Sequence, residues 1–203
     1  MRKILLGTLS GLLLVAAAAV VLRTVAAEPV AAAQGEISQH HAAALQRKID
    51  AVQSAQTGGK ENVSRTINVS EVELESFLVY GMRDEIPARV DAVDVQLTEG
   101  AVAADTRLTF PSNSTGNPMV DVLIAGTHSL YLKGKLNALQ GRGRFELEEV
   151  HVDGIPVPNI LIETLIAKYV KPRYPEVDLN EPFVMPWNID SLKITPGKAT
   201  ITY

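Results

Sequence analysis

Histidines and carboxylates are the side chains that could do chemistry in this 203-residue chain, because it contains no cysteine. His40 and His41 are adjacent, and adjacent residues on a helix point about 100° apart, with no further histidine nearby to complete a set of metal ligands. His128 and His151 are each flanked by strand-like residues. We predict strand histidines that are hydrogen-bonded or solvated, with general-base catalysis as the alternative. The sequence predicts neither a metal site nor a cofactor.

Three acids, Glu71, Glu73 and Glu75, follow Ser70 at the start of an apolar helical pattern. Ser70 with Glu73 three residues later predicts a capping box, and acids in a first helical turn favour the helix dipole. Their position explains them without a catalytic carboxylate pair. The sequence also lacks the motifs of serine hydrolases, zinc proteases and phosphate-binding loops. We therefore predict that the protein is not an enzyme.

An uncharged apolar stretch precedes these residues, from Ile4 to Leu22, with Arg2 and Lys3 before it and Arg23 after it. Its nineteen residues at ~1.5 Å each nearly match a ~30 Å hydrocarbon core. We predict that 1–23 is a single-pass anchor in the inner (cytoplasmic) membrane, with the rest of the chain in the periplasm or extracytoplasmic space. The alternative is a secretory signal cleaved before Glu28 or Gln34.

The exported part is acidic. The whole chain carries a net charge of −4, and the segment 1–23 contains three basic residues and no acid, which leaves −7 for the remainder. Such a charge repels phosphate-rich polymers, so nucleic acid is not an expected partner. Residues 24–60 are predicted to be a linker with a stalk helix between Gln34 and Thr57, ended by Gly58-Gly59, because its apolar stripe is thin.

Residues 61–203 are predicted to form one α+β domain in which most strands are joined by short turns. A hairpin turning at Gln140-Gly141 brings apolar and opposite-charge partners into register together. The predicted pairs are Leu136 with Phe145, Gly134 with Leu147, Lys135 with Glu146, and Lys133 with Glu148. A change of apolar parity predicts a bulge near Glu148-Glu149.

A second hairpin, centred near Gly100, is predicted to bury one face and to leave Asp94, Gln96, Asp105 and Arg107 on the other. A Glu99-Gly100 turn would place Asp94 opposite Asp105, so we expect either a longer turn or compensation by Arg107. A closing hairpin at Pro196-Gly197 should pair Leu192 with Ile201 and Ile194 with Ala199.

The helix predicted from Asn159 to Lys171 is apolar over most of its circumference, which is typical of a helix that is deeply buried or faces an apolar cavity. We predict an apolar groove between helices and sheet. Its expected lining residues are Phe77, Leu78, Leu161, Ile162, Leu165, Ile166, Tyr169 and Val170.

The segments SEVELESFL, VDVQLTEGAV, VDGIPVPNILI and FVMPWNIDSLKITPGKATI together resemble small exported bacterial proteins of the tubular lipid-binding (TULIP-like) type, from about residue 63 to 203. The resemblance implies a curved antiparallel sheet of about six to eight strands that cradles one or two helices. It also implies an apolar groove for a membrane lipid or lipid-linked molecule. The expected function is a membrane-anchored lipid-binding or lipid-transfer module of the bacterial envelope. The alternative is a non-catalytic structural or assembly subunit of an envelope complex, with a closed core.

Overall fold

The computed structural model describes residues 35–57, 64–83, 88–112, 125–165, 167 and 181–203. Within these ranges the chain is an α+β domain, in which nine strands, all paired antiparallel, form one sheet. The predicted anchor lies outside the described residues. In the described part of the chain, no helix combines the length and the apolar character that crossing a bilayer requires.

The elements in chain order are α1 (Gln39–Thr57), β1 (Thr66–Ser70), α2 (Glu71–Ser76) with a π-helical turn (Phe77–Gly81), β2 (Arg89–Thr98), β3 (Ala101–Phe110), β4 (Gly126–Leu139), β5 (Arg142–Val152), β6 (Ile155–Pro156), α3 (Asn159–Leu165), β7 (Phe183–Val184), a 3₁₀ turn (Pro186–Asn188), β8 (Ser191–Thr195) and β9 (Lys198–Thr202). The predicted helix at Asn159 begins where expected, and its predicted continuation beyond residue 165 falls almost entirely outside the described residues.

The sheet runs β1-β9-β8-β4-β3-β2, and β5 pairs with the other edge of β4. β3 occupies the first part of β4, from Gly126 to Lys135, and β8 joins the same edge further on, at Ala138. The turn at Gly100 lies at this junction, because its amide donates to the Ile194 carbonyl at 3.1 Å and its carbonyl accepts from Leu136. β4 is therefore the strand that joins the two halves of the sheet.

The β4–β5 hairpin confirms three of the four predicted pairs and the predicted bulge. Leu136 faces Phe145, Lys135 faces Glu146 and Gly134 faces Leu147, after which the register shifts. The prediction that Lys133 faces Glu148 is wrong, because Glu148 is the extra, bulged residue and Lys133 faces Glu149. Lys133 still reaches the Glu148 carboxylate at 3.2 Å, and Lys135 forms an ion pair with the same group.

The β2–β3 hairpin has the two-residue turn, which excludes the longer turn, one of the two predicted alternatives. Asp94 does face Asp105, on the side of the sheet opposite the buried Val93, Val95 and Leu97. Side chains on this side are in contact with solvent, which weakens the repulsion between the two carboxylates. The closing hairpin has the predicted pairs, Leu192 with Ile201 and Ile194 with Ala199.

Helix α1 corrects the prediction of a stalk. Its stripe of Ala42, Leu45, Ile49 and Val52 is buried, and the last three belong to the same core as the sheet. α1 packs against α2 and the π-helical turn. A thin stripe is sufficient here because α1 buries only one side and rests on other helical turns rather than across the sheet. The folded domain therefore includes Gln39–Thr57, which the sequence pattern assigns to the linker.

A polar contact fixes α1 in this position. The Lys48 ammonium donates to both carboxylate oxygens of Glu73, at 2.6 and 2.7 Å, and to the carbonyl of Asn68 at 2.6 Å. Glu73 at the same time accepts from the Ser70 amide at 3.0 Å, and the Ser70 hydroxyl accepts from the Glu73 amide, which confirms the predicted capping box. One carboxylate thus caps α2 and holds α1.

Candidate functional site

Of the predicted groove residues, the structure describes the burial of Phe77, Leu78 and Ile162. Phe77 and Leu78 are buried in the main core, in the turn against which α1 packs. Ile162 is buried, Leu161 and Leu165 belong to α3, and Ile166, Tyr169 and Val170 lie outside the described residues. Phe77 and Leu78 thus pack against the protein's own side chains.

The side of the sheet that carries Ala104, Leu132 and Phe145, which we call the inner face, is closed at one end and open at the other. Between the Gln140-Gly141 turn and the middle of β4 this face has buried residues, among them Ala138 and Phe145, and Leu132 is only 2% exposed. The next row along β4 consists of Leu130, Val152 on β5 and Ile155 on β6, which face one another across the strands. In this row Val152 is 36% and Ile155 69% exposed.

We call this row, together with His128, the open end. The row is apolar, lies on the same face as the core, and is continuous with the core along β4 and β5. An exposed apolar area that extends a core differs from a single surface leucine, because a ligand or partner can bury it without rearranging the sheet. The sequence already contained a signal for it, since the bulge places Val152 opposite Leu130.

His128 occupies the next position on the inner face, opposite Leu108 of β3. Its Nδ1 lies 2.7 Å from a carboxylate oxygen of Asp153, which follows β5. The second oxygen of Asp153 accepts from the Ser129 amide at 2.8 Å, and the Asp153 amide donates to the Ser129 carbonyl, also at 2.8 Å. The backbone of β4 therefore holds the carboxylate in place independently of its contact with the ring.

The turn that presents Asp153 is tight. Asp153 and Gly154 both have positive φ, 49° and 83°, which suits a two-residue hairpin turn between β5 and β6 and a residue pair of the Asp-Gly type. The hydrogen bond from His128 lowers the pKa of Asp153 more than burial raises it, and the Ser129 amide lowers it further. The carboxylate is thus an ionised acceptor, and the ring nitrogen that faces it must be the donor.

The other ring nitrogen of His128, Nε2, is buried, and among the described residues it has no hydrogen-bond partner. The Phe110 ring lies beside the imidazole, with centroids 6.3 Å apart. The expectation of a satisfied or solvated histidine is therefore met at Nδ1 only. An Asp–His pair could act as a general base, but within the described ranges no hydroxyl is bonded to Nε2 to serve as a nucleophile.

His151 differs in position and environment. It lies on the opposite, outer face, where its ring stacks on Tyr131 with centroids 5.7 Å apart. Burial raises the pKa of Tyr131, and the neighbouring Glu149 carboxylate adds to the effect. The Lys133, Lys135 and Glu148 ion pairs lie on this outer face too. His151 is thus a strand histidine of the expected kind.

The carboxylates of Glu71 and Glu75 accept hydrogen bonds at the edge of the sheet. β2 is the last strand in the order, and its exposed amides would normally attract another strand. The Leu97 amide donates to Glu71 at 2.6 Å and the Val95 amide donates to Glu75 at 2.9 Å. Burial raises the pKa of Glu75, against the effect of the Val95 hydrogen bond, and the charges of Asp94 and Glu71 also raise it. The sequence pattern predicts a helix-dipole role for these acids and gives no signal of their contacts with β2.

No group of three His, Asp or Glu side chains suited to a metal ion occurs within the described residues. The features that the sequence did not predict as a site are the open end and the Asp153–His128 pair, whose members are 25 residues apart. In comparisons with known proteins, no family model matches the chain and no curated protein sequence matches it either.

Proposed function

We propose that the protein is a membrane-tethered, non-catalytic lipid-binding or lipid-transfer module of TULIP-like architecture, which works outside the cytoplasm at the inner membrane. The observation that carries the proposal is the open end. There the inner face leaves Val152 and Ile155 exposed, although the same face is closed around Leu132 and Phe145. An acyl chain is the occupant that fits an apolar row that leads into an aliphatic core.

Three features of the chain support lipid rather than another apolar ligand. The apolar stretch at 4–22 would keep the domain beside a bilayer. The apolar sequence from Asn159 onward begins four residues after Ile155, so the open end is followed directly by more apolar chain. The exported part is aliphatic and poor in aromatic residues, which suits flexible acyl chains better than planar ligands.

The proposal is tested by native mass spectrometry of the full chain, purified in a mild detergent from bacterial membranes. We expect lipid to remain bound to the wild-type protein. Ile155→Asp should reduce lipid occupancy about tenfold or more, because it places a charge in an apolar site.

The matched control is Val184→Asp. Val184 is 73% exposed and also lies on a two-residue strand paired with β5, but at the far end of β5, opposite Arg142 on the outer face. Its substitution should leave lipid occupancy unchanged. Folded wild-type protein that carries no lipid would overturn the proposal, and equal losses in both variants would show that the open end is not the site.

A second candidate, a structural or assembly subunit of an envelope complex, is favoured by a different observation. Phe77 and Leu78, which were expected to line the groove, are buried in the core in the turn against which α1 packs. In that case the exposed row of Val152 and Ile155 would be covered by a partner segment. Lipid-free, folded wild-type protein in the experiment above would place this function first.

A further inference from the structure

We propose that the Asp153–His128 pair is the head-group site of the open end, and that Nε2 of His128 accepts a hydrogen bond from the hydroxyl group of a long-chain alcohol or of a lipid with a free hydroxyl. The inference rests on the proposed lipid-binding function and adds the chemical class of the head group.

The first step is the protonation pattern of the ring. Asp153 is an ionised carboxylate and can only accept hydrogen bonds, so Nδ1 at 2.7 Å must carry the proton. In a neutral imidazole the other nitrogen then has a lone pair and no hydrogen. Because the backbone of Ser129 holds both the carboxylate and the amide of Asp153, this tautomer is fixed by the fold.

The second step is the missing partner. Nε2 is buried, and none of the described residues bonds to it. Buried polar atoms in folded proteins nearly always have a hydrogen-bond partner, so an unpartnered acceptor indicates a place where something else binds. The complement of a lone pair is a donor, and the simplest donor on a lipid is a hydroxyl group.

The third step is the position of Nε2. His128 shares the inner face with Leu130, and Leu130 faces Val152, which faces Ile155. A ligand whose chain covers this row would have its polar end next to the imidazole, which also neighbours Leu108 and the Phe110 ring. The arrangement of one precisely held polar group at the end of an apolar surface is typical of small-molecule sites.

The test is a competition followed by native mass spectrometry. The full chain in detergent is mixed with equal amounts of dodecanol and dodecyl methyl ether. The two ligands share the alkyl chain, but the ether has a methyl group in place of the hydroxyl hydrogen and cannot donate a hydrogen bond. At alkaline pH, where an imidazole is neutral, we expect the wild type to favour the alcohol about tenfold, the value of one well-formed hydrogen bond. Detergent partitioning affects all variants alike, so the ratio between variants isolates the site.

Two substitutions complete the test. His128→Phe keeps a ring of similar shape but cannot accept, and it should abolish the preference while both ligands still bind. His151→Phe, on the outer face, should retain it. Imidazole nitrogen chemical shifts supply an independent measurement, in which dodecanol should move the Nε2 resonance of His128 and the free protein should show the Nδ1–H tautomer.

The outcomes separate the two proposals. Equal binding of alcohol and ether by the wild type, or an Nε2–H tautomer in the free protein, would overturn the head-group site and leave lipid binding intact. If neither ligand binds to folded wild-type protein that also carries no co-purified lipid, both proposals are wrong. A preference that survives His128→Phe would also overturn the inference.

Discussion

Apolar and polar groups have opposite environments in two regions of the molecule, the contact between α1 and α2 and the open end of the sheet. Where α1 meets α2, the apolar stripe is buried and the Lys48 ammonium donates three hydrogen bonds, to Glu73 and to the Asn68 carbonyl. At the open end, Val152 and Ile155 are exposed and Nε2 of His128 has no partner among the described residues. Both regions belong to one domain with one sheet.

The difference indicates that the first region contributes to stability and the second to binding. A region in which apolar surface is buried and polar groups are paired contributes to the free energy of folding and has little left to bind. A region that keeps apolar surface exposed and an acceptor unpaired gives up part of that stabilisation, which a ligand could restore. Substitutions in the two regions should therefore have opposite profiles, with large effects on stability in the first and large effects on binding in the second.

The largest effect on stability is expected for Ile49→Ala in α1. Ile49 is buried in the main core, so its truncation should lower the free energy of unfolding by about 2–5 kcal/mol. Denaturant unfolding followed by circular dichroism measures the change. Arg47→Ala, on the exposed side of the same helix, is the control and should change stability by less than about 0.5 kcal/mol. Equal and negligible changes would restore the interpretation of α1 as a stalk.

An intermediate effect is expected for Glu73→Ala, at about 1–3 kcal/mol, because it removes a helix cap and leaves Lys48 without its carboxylate. Burial alone would raise the pKa of Glu73, but the hydrogen bonds from Lys48 and Ser70 and the Lys48 charge more than offset it and lower the pKa. A lowered folded-state pKa stabilises the protein above the unfolded value and loses this contribution as the pH falls through the folded one.

The difference in stability between wild type and Glu73→Ala should therefore shrink on acidification below about pH 4. Glu73→Gln is the matched control, since glutamine retains the capping box without the charge. Thermal melts of the three proteins as a function of pH measure the effect. A difference that stays constant down to acid pH would show that the ion pair with Lys48 contributes nothing and that only the cap matters.

The smallest effect on stability is expected at the open end. Ile155→Asp should change the free energy of unfolding by no more than about 0.5 kcal/mol, because the side chain is already exposed. In the absence of lipid its melting temperature should match that of Val184→Asp. A loss comparable to that of Ile49→Ala would mean that Ile155 belongs to the packed core, and the contrast between the two regions would disappear.

Local patterns predicted the parts of the fold whose determinants are close in sequence. Ser70 and Glu73 gave the start of α2, and the pairing of Leu136 with Phe145 gave the register of the β4–β5 hairpin. The wrong partner predicted for Lys133 is also a local error, since the regular pairing was extended one residue too far, to Glu148, which is the bulged residue. In these elements the interacting residues are neighbours on a strand pair or a helical turn, so sequence spacing contains the geometry.

The docking of α1 and the Asp153–His128 pair could not be predicted in the same way. The Lys48–Glu73 contact joins residues 25 positions apart, and so does the His128–Asp153 contact. Each depends on the placement of whole elements and not on a spacing. The two groove residues predicted in the π-helical turn, Phe77 and Leu78, are buried because α1 docks there, and an apolar pattern alone does not distinguish a core residue from a lining residue.

The bulge at Glu148 determines where a one-residue deletion in β5 would leave the strand pairing regular and the inner face apolar. Glu148 is the one surplus residue in β5, so its deletion would produce a regular ladder in which Lys133 still faces Glu149 and Leu130 still faces Val152. Loss of Val150 would also remove the bulge and leave Leu130 facing Val152, but it would place the Glu149 carboxylate on the inner face, opposite Leu132. We therefore expect the inner face to stay apolar when the strand loses Glu148, whereas a loss between Glu149 and Val152 would bring a carboxylate onto that face.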